Sequence, residues 1–161
     1  MEALIGLLRP LLATDIIRRI KIKTITAYQN TIFVGMDTYS GYTSSNVGIS
    51  WNYFSTSGIP KSFFVVSPST ILVATSNGIQ RSTNNEGYWN TVSNTATNCF
   101  IALSGVLFAG TVNGVYFSTN QGQSWAPRAL PGLNVISLNV SESSLYAGTL
   151  RSSSGQPFVC L

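Results

Sequence analysis

Residues 110–125 read Gly-Thr-Val-Asn-Gly-Val-Tyr-Phe-Ser-Thr-Asn-Gln-Gly-Gln-Ser-Trp, and this stretch decides the fold. It contains a short apolar run, Val115–Phe117, between two groups of turn-forming residues. Asn113 and Gly114 suit a tight reversal before the run, and residues 118–122 suit a second reversal after it. The pattern predicts a short β-strand with a turn on each side.

The second of these turns occurs three times along the chain. Tryptophans lie at positions 51, 89 and 125, which are 38 and 36 residues apart, and each follows a Ser and an Asn at fixed distances. The turn glycine keeps its place in the first and third copies, whereas Glu86 occupies it in the second. The turn-box residues are Ser44, Asn46, Gly48, Trp51, Ser82, Asn84, Trp89, Ser118, Asn120, Gly122 and Trp125. A period of this length indicates a repeat protein.

Each repeat also holds an apolar run that ends in small residues. The four runs are Ile32–Gly35, Ile71–Ala74, Leu107–Gly110 and Leu145–Gly148. Another strand-like run and a polar turn precede each of them. One repeat thus reads as four short antiparallel strands over roughly 37 residues, which is the arrangement of a β-propeller blade. We predict an all-β fold with about three and a half to four such blades.

The repeats divide the chain into approximate units. The predicted boundaries are 24–60, 61–98, 99–134 and 135–161, after an apolar and basic segment at 1–23. That segment has helical spacing of its leucines, which favours a short N-terminal helix, but the alternation around Ile20 also fits an edge strand. It is too short for a membrane span and lacks the basic start of a signal peptide.

The composition of the turn boxes has a structural explanation. Ser and Asn side chains can accept hydrogen bonds from backbone N–H groups inside a tight turn, and glycine supplies positive φ. The following Trp offers a large apolar face for packing between blades and an indole N–H for a backbone carbonyl. We therefore expect the boxes to stabilise hairpins and not to bind ligands.

These boxes carry a family resemblance. The pattern resembles the Asp-box, or BNR, repeat of β-propellers such as sialidases, sortilin-type receptors and photosystem II assembly-factor-like proteins, with Asn where the family usually has Asp. The resemblance covers residues 24–150 and implies a propeller, for which six to eight blades are typical. Because the chain holds about half of that, the expectations are a piece of a longer protein, copies that associate, or an open stack whose strand edges invite self-association. The resemblance also implies an extracellular or periplasmic location.

The composition excludes several function classes. The 161 residues include 22 Ser, 16 Thr and 13 Asn, but no His and only five acidic residues. Histidine bases and histidine metal ligands are therefore absent. Cys99 and Cys160 fit no metal or redox spacing, so we predict no cofactor and no metal site.

The net charge of +4 is unevenly distributed. Five of the nine basic residues fall within the first 23 positions, and the remainder of the chain has a net charge of only +1. No basic stripe is present to follow a phosphate backbone, so nucleic-acid binding is not expected.

Catalysis is also not expected. The resemblance to sialidases implies three arginines for a substrate carboxylate, an acidic Asp and a Tyr activated by Glu. After the N-terminal segment, the candidate arginines are Arg81, Arg128 and Arg151, and the acids are Asp37, Glu86 and Glu142. Two of these acids fall in predicted turns, which leaves no pair of facing carboxylates for glycoside hydrolysis.

Binding is the better hypothesis, because the loops between second and third strands should gather at one end of the blades. The candidate ligand-binding residues in these loops are Asp37, Tyr39, Tyr42, Asn77, Asn113 and Arg151. The sequence predicts a non-catalytic domain that acts as a protein-interaction scaffold. The alternative is a carbohydrate-binding module in which the tyrosines stack on a sugar ring, followed by a fragment of a sialidase-like glycoside hydrolase.

Overall fold

The computed structural model describes residues 21–84, 88–150 and 158–160, the last three as a strand only. Within these residues the chain forms strands and turns, without helix. The predicted N-terminal helix lies outside the described residues. The strands are β1 (Ile22–Tyr28), β2 (Thr31–Met36), β3 (Ser40–Ser44), β4 (Asn52–Ser55), β5 (Pro60–Ser67), β6 (Thr70–Thr75), β7 (Gly78–Ser82), β8 (Asn90–Ser93), β9 (Thr97–Leu103), β10 (Val106–Thr111), β11 (Gly114–Ser118), β12 (Ala126–Ala129), β13 (Asn134–Ser141), β14 (Ser144–Leu150) and β15 (Phe158–Cys160).

The strands form four antiparallel sheets, each a simple up-and-down meander. Three sheets have four strands, in the orders β1-β2-β3-β4, β5-β6-β7-β8 and β9-β10-β11-β12, and the fourth has β13-β14-β15. The predicted all-β fold with four-stranded antiparallel blades is therefore confirmed. We refer to these sheets as the first to fourth blades. The first blade begins at Ile22, inside the segment that sequence patterns separated as 1–23.

The blades meet along their first strands. β1 contacts β5, β5 contacts β9 and β9 contacts β13, so the first strands line the centre around which the blades are arranged. The second strands lie next to them and are the most buried; every residue of β6 is buried. The fourth strands lie outermost, and β12 is largely exposed.

Alternation along the second strands creates the core between blades. Side chains of a strand point to opposite faces in turn. Phe33 therefore packs with Phe63 of the second blade, and Leu72 packs with Leu107 of the third. Phe108 likewise joins a cluster with residues of the fourth blade. The apolar runs seen in the sequence thus supply both faces of each blade interface, and their burial is the main stabilising contribution.

The tryptophans of the second and third repeats occupy these interfaces. Trp89 lies against Phe54 and Phe63, with ring centroids 5.4 and 6.4 Å apart. The Trp125 ring lies 5.8 Å from that of Phe100. Trp51 donates its indole N–H to the carbonyl of Gly48 at 3.1 Å. In the described part of the chain the indole nitrogens of Trp89 and Trp125 are buried without an acceptor, so packing alone holds these two rings.

The turn boxes are networks of short side-chain hydrogen bonds. In the third box the Ser118 hydroxyl donates to Asn120 Oδ1 at 2.8 Å and accepts from the N–H of Gly122 at 2.9 Å. Asn120 also accepts from the N–H of Ser124 at 3.1 Å and donates to its hydroxyl at 2.8 Å. The first box repeats these bonds at Ser44, Asn46, Gly48 and Ser50. In the second box, Ser82 donates to Asn84 at 2.9 Å.

Candidate functional site

The meander order places two sets of loops at the same end of every blade. The loop that follows the second strand lies where the first strand begins. The connection from the fourth strand to the next blade lies at the same end. We call this end the connector end. It comprises the loops 37–39, 76–77 and 112–113 between second and third strands, and the blade-to-blade connections 56–59, 94–96 and 130–133.

The two sets of loops are bound to each other through their backbones. The N–H of Thr56 donates to the carbonyl of Tyr39 at 2.9 Å, and the N–H of Ser76 donates to that of Ile59 at 3.0 Å. The N–H of Val112 donates to the carbonyl of Ala96 at 2.9 Å. The connector end is therefore held in one arrangement by bonds that recur from blade to blade.

Two buried threonines close the tight loops of the second and third blades. Thr75 donates its hydroxyl proton to the carbonyl of Gly78 at 3.1 Å and accepts from the N–H of Asn77 at 3.1 Å. Thr111 makes the same pair of bonds, to Gly114 at 2.8 Å and from Asn113 at 3.0 Å. This Thr-x-Asn-Gly signature is present in the sequence, and its physical reason is the satisfaction of backbone groups in a two-residue loop.

The predicted ligand-binding asparagines bind neighbouring backbone. Asn77 donates its amide to the carbonyl of Ser57, and Asn113 accepts from the N–H of Gly132 at 2.9 Å. Both side chains thus fasten a loop to a blade-to-blade connection. Asp37 has an equivalent position in the first blade, where its Oδ1 accepts from the N–H of Lys21 at 2.9 Å.

The two predicted tyrosines do not form one platform. Tyr39 lies in the loop and is 56% exposed. Tyr42 lies within β3, where its ring meets the edge of Tyr53 at 5.6 Å with an interplanar angle of 74°. The structure therefore brings Asp37, Tyr39, Asn77 and Asn113 to the connector end, whereas Tyr42 belongs to the outer part of a blade face. Arg151 lies outside the described residues.

All four first strands carry a β-bulge at the connector end. In each case one residue is inserted between two residues that pair with successive residues of the second strand. The inserted residues are Lys23, Lys61, Asn98 and Ile136. Bulges re-aim a side chain and are frequent beside binding sites. Sequence reasoning did not select these residues, although Lys23 and Lys61 are 38 residues apart, the same distance as Trp51 and Trp89.

Lys61, Asn98 and Asn134 form a chain of side-chain hydrogen bonds across three blades, which we call the polar chain. Lys61 donates from Nζ to Asn98 Oδ1 at 2.8 Å. The amide of Asn98 donates to Asn134 Oδ1 at 2.9 Å and to the carbonyl of Val135 at 2.7 Å. These two bonds orient the Asn98 oxygen towards Lys61. Together with the Lys61 bond, they tie the second, third and fourth blades together at the centre.

A cleft opens beside this chain, between the first and second blades. It has a volume of about 340 Å³ and is lined by Lys23, Ile59, Pro60, Lys61 and Ser76. Among the described residues, the lining contains two cationic side chains and no carboxylate. The cleft therefore combines an apolar wall with positive charge.

The described acidic residues do not form a catalytic pair. Asp37 lies at the connector end, whereas Glu142 lies in the turn between β13 and β14 at the opposite end. Within the described ranges no group of three His, Cys, Asp or Glu side chains is arranged to hold a metal ion. The arginines are also separated, because Arg81 donates to the Gln121 carbonyl at 3.0 Å while Arg128 lies 5.9 Å from the ring centre of Phe117.

Cys99 carries a partly buried thiol next to the polar chain. Burial raises the pKa of Cys99 to about 11, although hydrogen bonds with the backbone of Gly110 and Leu138 partly oppose this rise. The thiol is therefore protonated and weakly nucleophilic at neutral pH. It is free of a disulfide bond.

Comparison with known proteins establishes the fold. No protein-family profile and no curated protein sequence matches the chain. Among solved structures it is similar to an ancestral GH74 enzyme, with 20% identity and a TM-score of 0.63 over 80% of this chain and 22% of that one. It is similar to the computationally designed Ika4 protein, with 7% identity and a TM-score of 0.68 over 87% of this chain and 89% of that one.

A third similar structure is YCF48 bound to D1 peptide, with 12% identity and a TM-score of 0.60 over 81% of this chain and 48% of that one. The chain thus spans about a fifth of the GH74 enzyme and about half of YCF48, but most of the designed protein. These likenesses agree with the blades described above and show that the chain is built as part or all of a β-propeller. In the part of the chain that the structure describes, no helix has the length and hydropathy needed to cross a membrane.

Proposed function

We propose that the chain is a non-catalytic β-propeller domain that binds a protein partner through its connector end. The carrying observation is that recurring backbone hydrogen bonds hold this end in one arrangement, yet it exposes large apolar side chains on three of the four blades. These side chains are Ile22, Tyr39, Val112, Ile136 and Leu150, each at least 39% exposed. Grouped apolar side chains on a preorganised surface are characteristic of protein interfaces, because little conformational entropy is lost on binding.

Two further features support this proposal. Asp37 and Glu142 lie at opposite ends of the blades, which favours binding over the hydrolysis of a glycosidic bond by two facing carboxylates. The similar structure of YCF48 was determined with a bound peptide, so a propeller of this general form can bind a peptide. The turn boxes fit the Asp-box repeat with Asn in place of Asp, and such a repeat is compatible with an extracellular or periplasmic setting.

The test is selection of binding peptides from a random display library against the whole chain, followed by affinity measurements with matched variants. Tyr39→Ala alters the connector end, whereas Tyr88→Ala alters a residue that is 81% exposed near the opposite end. We expect Tyr39→Ala to weaken peptide binding by roughly tenfold, through the loss of one aromatic contact, and Tyr88→Ala to have no effect. Failure to enrich any peptide, or loss of binding only in Tyr88→Ala, would contradict the proposal.

Carbohydrate binding is the second candidate, and the exposed Tyr39 beside Asp37 is the observation in its favour. An aromatic ring can stack on a sugar while a carboxylate accepts from its hydroxyls. A glycan array distinguishes the two functions. Glycan binding that is lost in Tyr39→Ala would favour the carbohydrate function, and a blank array together with enriched peptides would exclude it.

A further inference from the structure

The geometry points to a carboxylate-binding site in the cleft between the first and second blades, which receives the C-terminal carboxylate of a bound peptide. This inference rests on the proposed function and identifies the chemistry that anchors the partner. The cleft is lined by two lysines, Lys23 and Lys61, and by the apolar residues Ile59 and Pro60.

The backbone fixes the positions of the two lysines. Each is the inserted residue of a bulge, on β1 and β5, which are adjacent first strands. The bulge fixes where each side chain leaves its strand. Both bulges occur at the same register, and both lysines line the same cleft from neighbouring blades.

Lys61 is positioned but retains donors for a ligand. An ammonium group has three donors, and Lys61 uses one of them for Asn98 Oδ1 at 2.8 Å. Asn98 is a neutral partner, so it holds the lysine without cancelling its charge. Asn98 is itself held by Asn134 and the Val135 carbonyl, which makes it a positioning residue for Lys61.

The surrounding charge leaves the cleft positive. Asp37 is the acidic residue described at this end, and its Oδ1 accepts from the N–H of Lys21 at 2.9 Å. Asp37 does not line the cleft. An anion that enters would therefore meet two cations and no described competing carboxylate.

The remaining lining favours a carboxylate over a phosphate. Many phosphate sites combine their cationic side chains with several backbone N–H groups. Here Pro60 has no N–H, and the N–H of Ile59 already donates to the Ser76 hydroxyl at 3.0 Å. Two ammonium groups match the two oxygens of one carboxylate, while the Ile59 and Pro60 side chains offer an apolar surface to the residue that carries it.

The size of the cleft agrees with a chain end. Its volume of about 340 Å³ lies at the low end of the range for ligand pockets. The exposed apolar residues of the connector end lie outside it and are available for the preceding residues of the peptide. A C-terminal residue in the cleft with the chain running outwards over Tyr39 fits this arrangement.

The experiment uses the whole chain labelled with nitrogen-15 and a matched pair of probes, acetyl-Ala-Leu-Ala-Leu with a free C-terminal carboxylate and the same peptide as its C-terminal amide. We expect the acid to shift the backbone amides of Ile59, Lys61 and Ser76, and to bind roughly tenfold more tightly than the amide. Inorganic phosphate is a third probe, and we expect it to bind more weakly than the acid.

Variants assign the effect to the two lysines. Lys23→Gln and Lys61→Gln should each weaken binding of the acid by roughly five- to tenfold, and the double variant should make acid and amide equal. Asn98→Ala keeps the charge but releases Lys61, so it should give a smaller loss of affinity for the acid. Lys61→Arg should retain part of that affinity. Arg128→Gln makes the same change of net charge on β12 and should leave binding unchanged.

The inference and the proposed function fail in different ways. Equal binding of acid and amide at the connector end, or lysine variants that bind like the unaltered chain, would overturn the carboxylate site while leaving peptide recognition intact. Phosphate that binds more tightly than the acid would also overturn it. If display-selected peptides and both probes leave the connector end unshifted, the carboxylate site and the proposed function are both wrong.

Discussion

At the scale of single residues, the turn-box asparagine replaces several backbone bonds that a tight turn forfeits. Asn120 accepts from the N–H of Ser124 and from the Ser118 hydroxyl, and it donates to the Ser124 hydroxyl. Both acceptor bonds use the same carbonyl oxygen. The side chain therefore matters chiefly as an acceptor, a role that the carboxylate of Asp can also fill.

This role predicts a graded effect of substitution at Asn120. Asn120→Ala should lower the free energy of unfolding by about 1–2 kcal/mol, because it leaves polar groups of the turn without partners. Asn120→Asp keeps the acceptor oxygen and should lower the free energy of unfolding by less. Urea unfolding followed by tryptophan fluorescence measures both, with Asn52→Ala on exposed β4 as the control. An equal loss in the Ala and Asp variants would contradict this account of the box.

Cys99 gives a second residue-scale prediction, on pH. Its pKa is raised to about 11 in the folded chain from an ordinary value of 9.0, with burial as the largest cause. Below pH 9 the thiol is protonated in both states, so the full stability is present. Between about pH 9 and 11 the unfolded chain releases the proton while the folded chain retains it, and the free energy of unfolding therefore falls as the pH rises.

The matched comparison is the chain with Cys99→Ala, unfolded in urea across the same pH range. The two proteins differ only at position 99, so the difference between the two curves isolates Cys99. We expect the unaltered chain to lose stability more steeply above pH 9. Parallel curves would show that folding does not raise the pKa of the Cys99 thiol.

At the scale of strands, stability depends on how the second strand of one blade packs against the next blade. Leu72 of β6 is fully buried and faces the third blade, where Gly122 lies close to it. Gly122 has a φ of +76°, and a Cβ there would lie 2.8 Å from Leu72 Cδ2. The turn box of one blade is thus fitted against the second strand of its neighbour, which couples turn geometry to core packing.

This coupling predicts a large effect of Leu72→Ala. Deletion of a buried leucine side chain from a packed core costs about 2–5 kcal/mol. Leu150→Ala is the matched control, since Leu150 is 57% exposed at the end of β14 and should change stability by less than about 0.5 kcal/mol. The midpoints of urea unfolding measure both changes, provided that the free energy of unfolding depends equally on urea concentration in each variant. Similar losses of stability in the two variants would contradict the assigned packing.

At the scale of the whole molecule, the two outward faces of the stack differ. On the first blade, Ile32 and Val34 face away from the second blade and form a buried cluster with Trp51. Strand pairing places Tyr42 and Tyr53 on the same face as Val34. On the fourth blade, Asn139 and Tyr146 lie opposite each other on the corresponding face, and Leu150 lies farther along β14 on the same face.

This asymmetry sharpens the expectation of self-association. The exposed aromatic side chain on the outward face of the first blade is Tyr53, and two first blades can pair face to face through it in a symmetric dimer. We therefore expect a dimer by light scattering, which Tyr53→Lys disrupts because Tyr53 is 62% exposed on that face. Asn139→Lys on the fourth blade is the control and should leave the mass unchanged. A monomer at every concentration, or a ring larger than a dimer, would contradict this prediction.

By itself, the amino-acid sequence determined the order of strands and turns, the number of blades and the residues of the turn boxes. Those features depend on contacts close in the chain and on side-chain alternation, which repeat every 36–38 residues and leave a local pattern. Sequence reasoning also brought Asp37, Tyr39, Asn77 and Asn113 to one end, because loop positions follow from strand order.

Only the tertiary structure decided what occupies the centre of that end. Lys23, Lys61 and Asn98 belong to three blades, and their side chains approach each other because the first strands converge and each carries a bulge. A bulge depends on how two strands pair, so a single strand sequence does not mark it. For the same reason the pairing of β3 with β4, and not the spacing of two tyrosines, decided that Tyr42 lies against Tyr53 and apart from Tyr39.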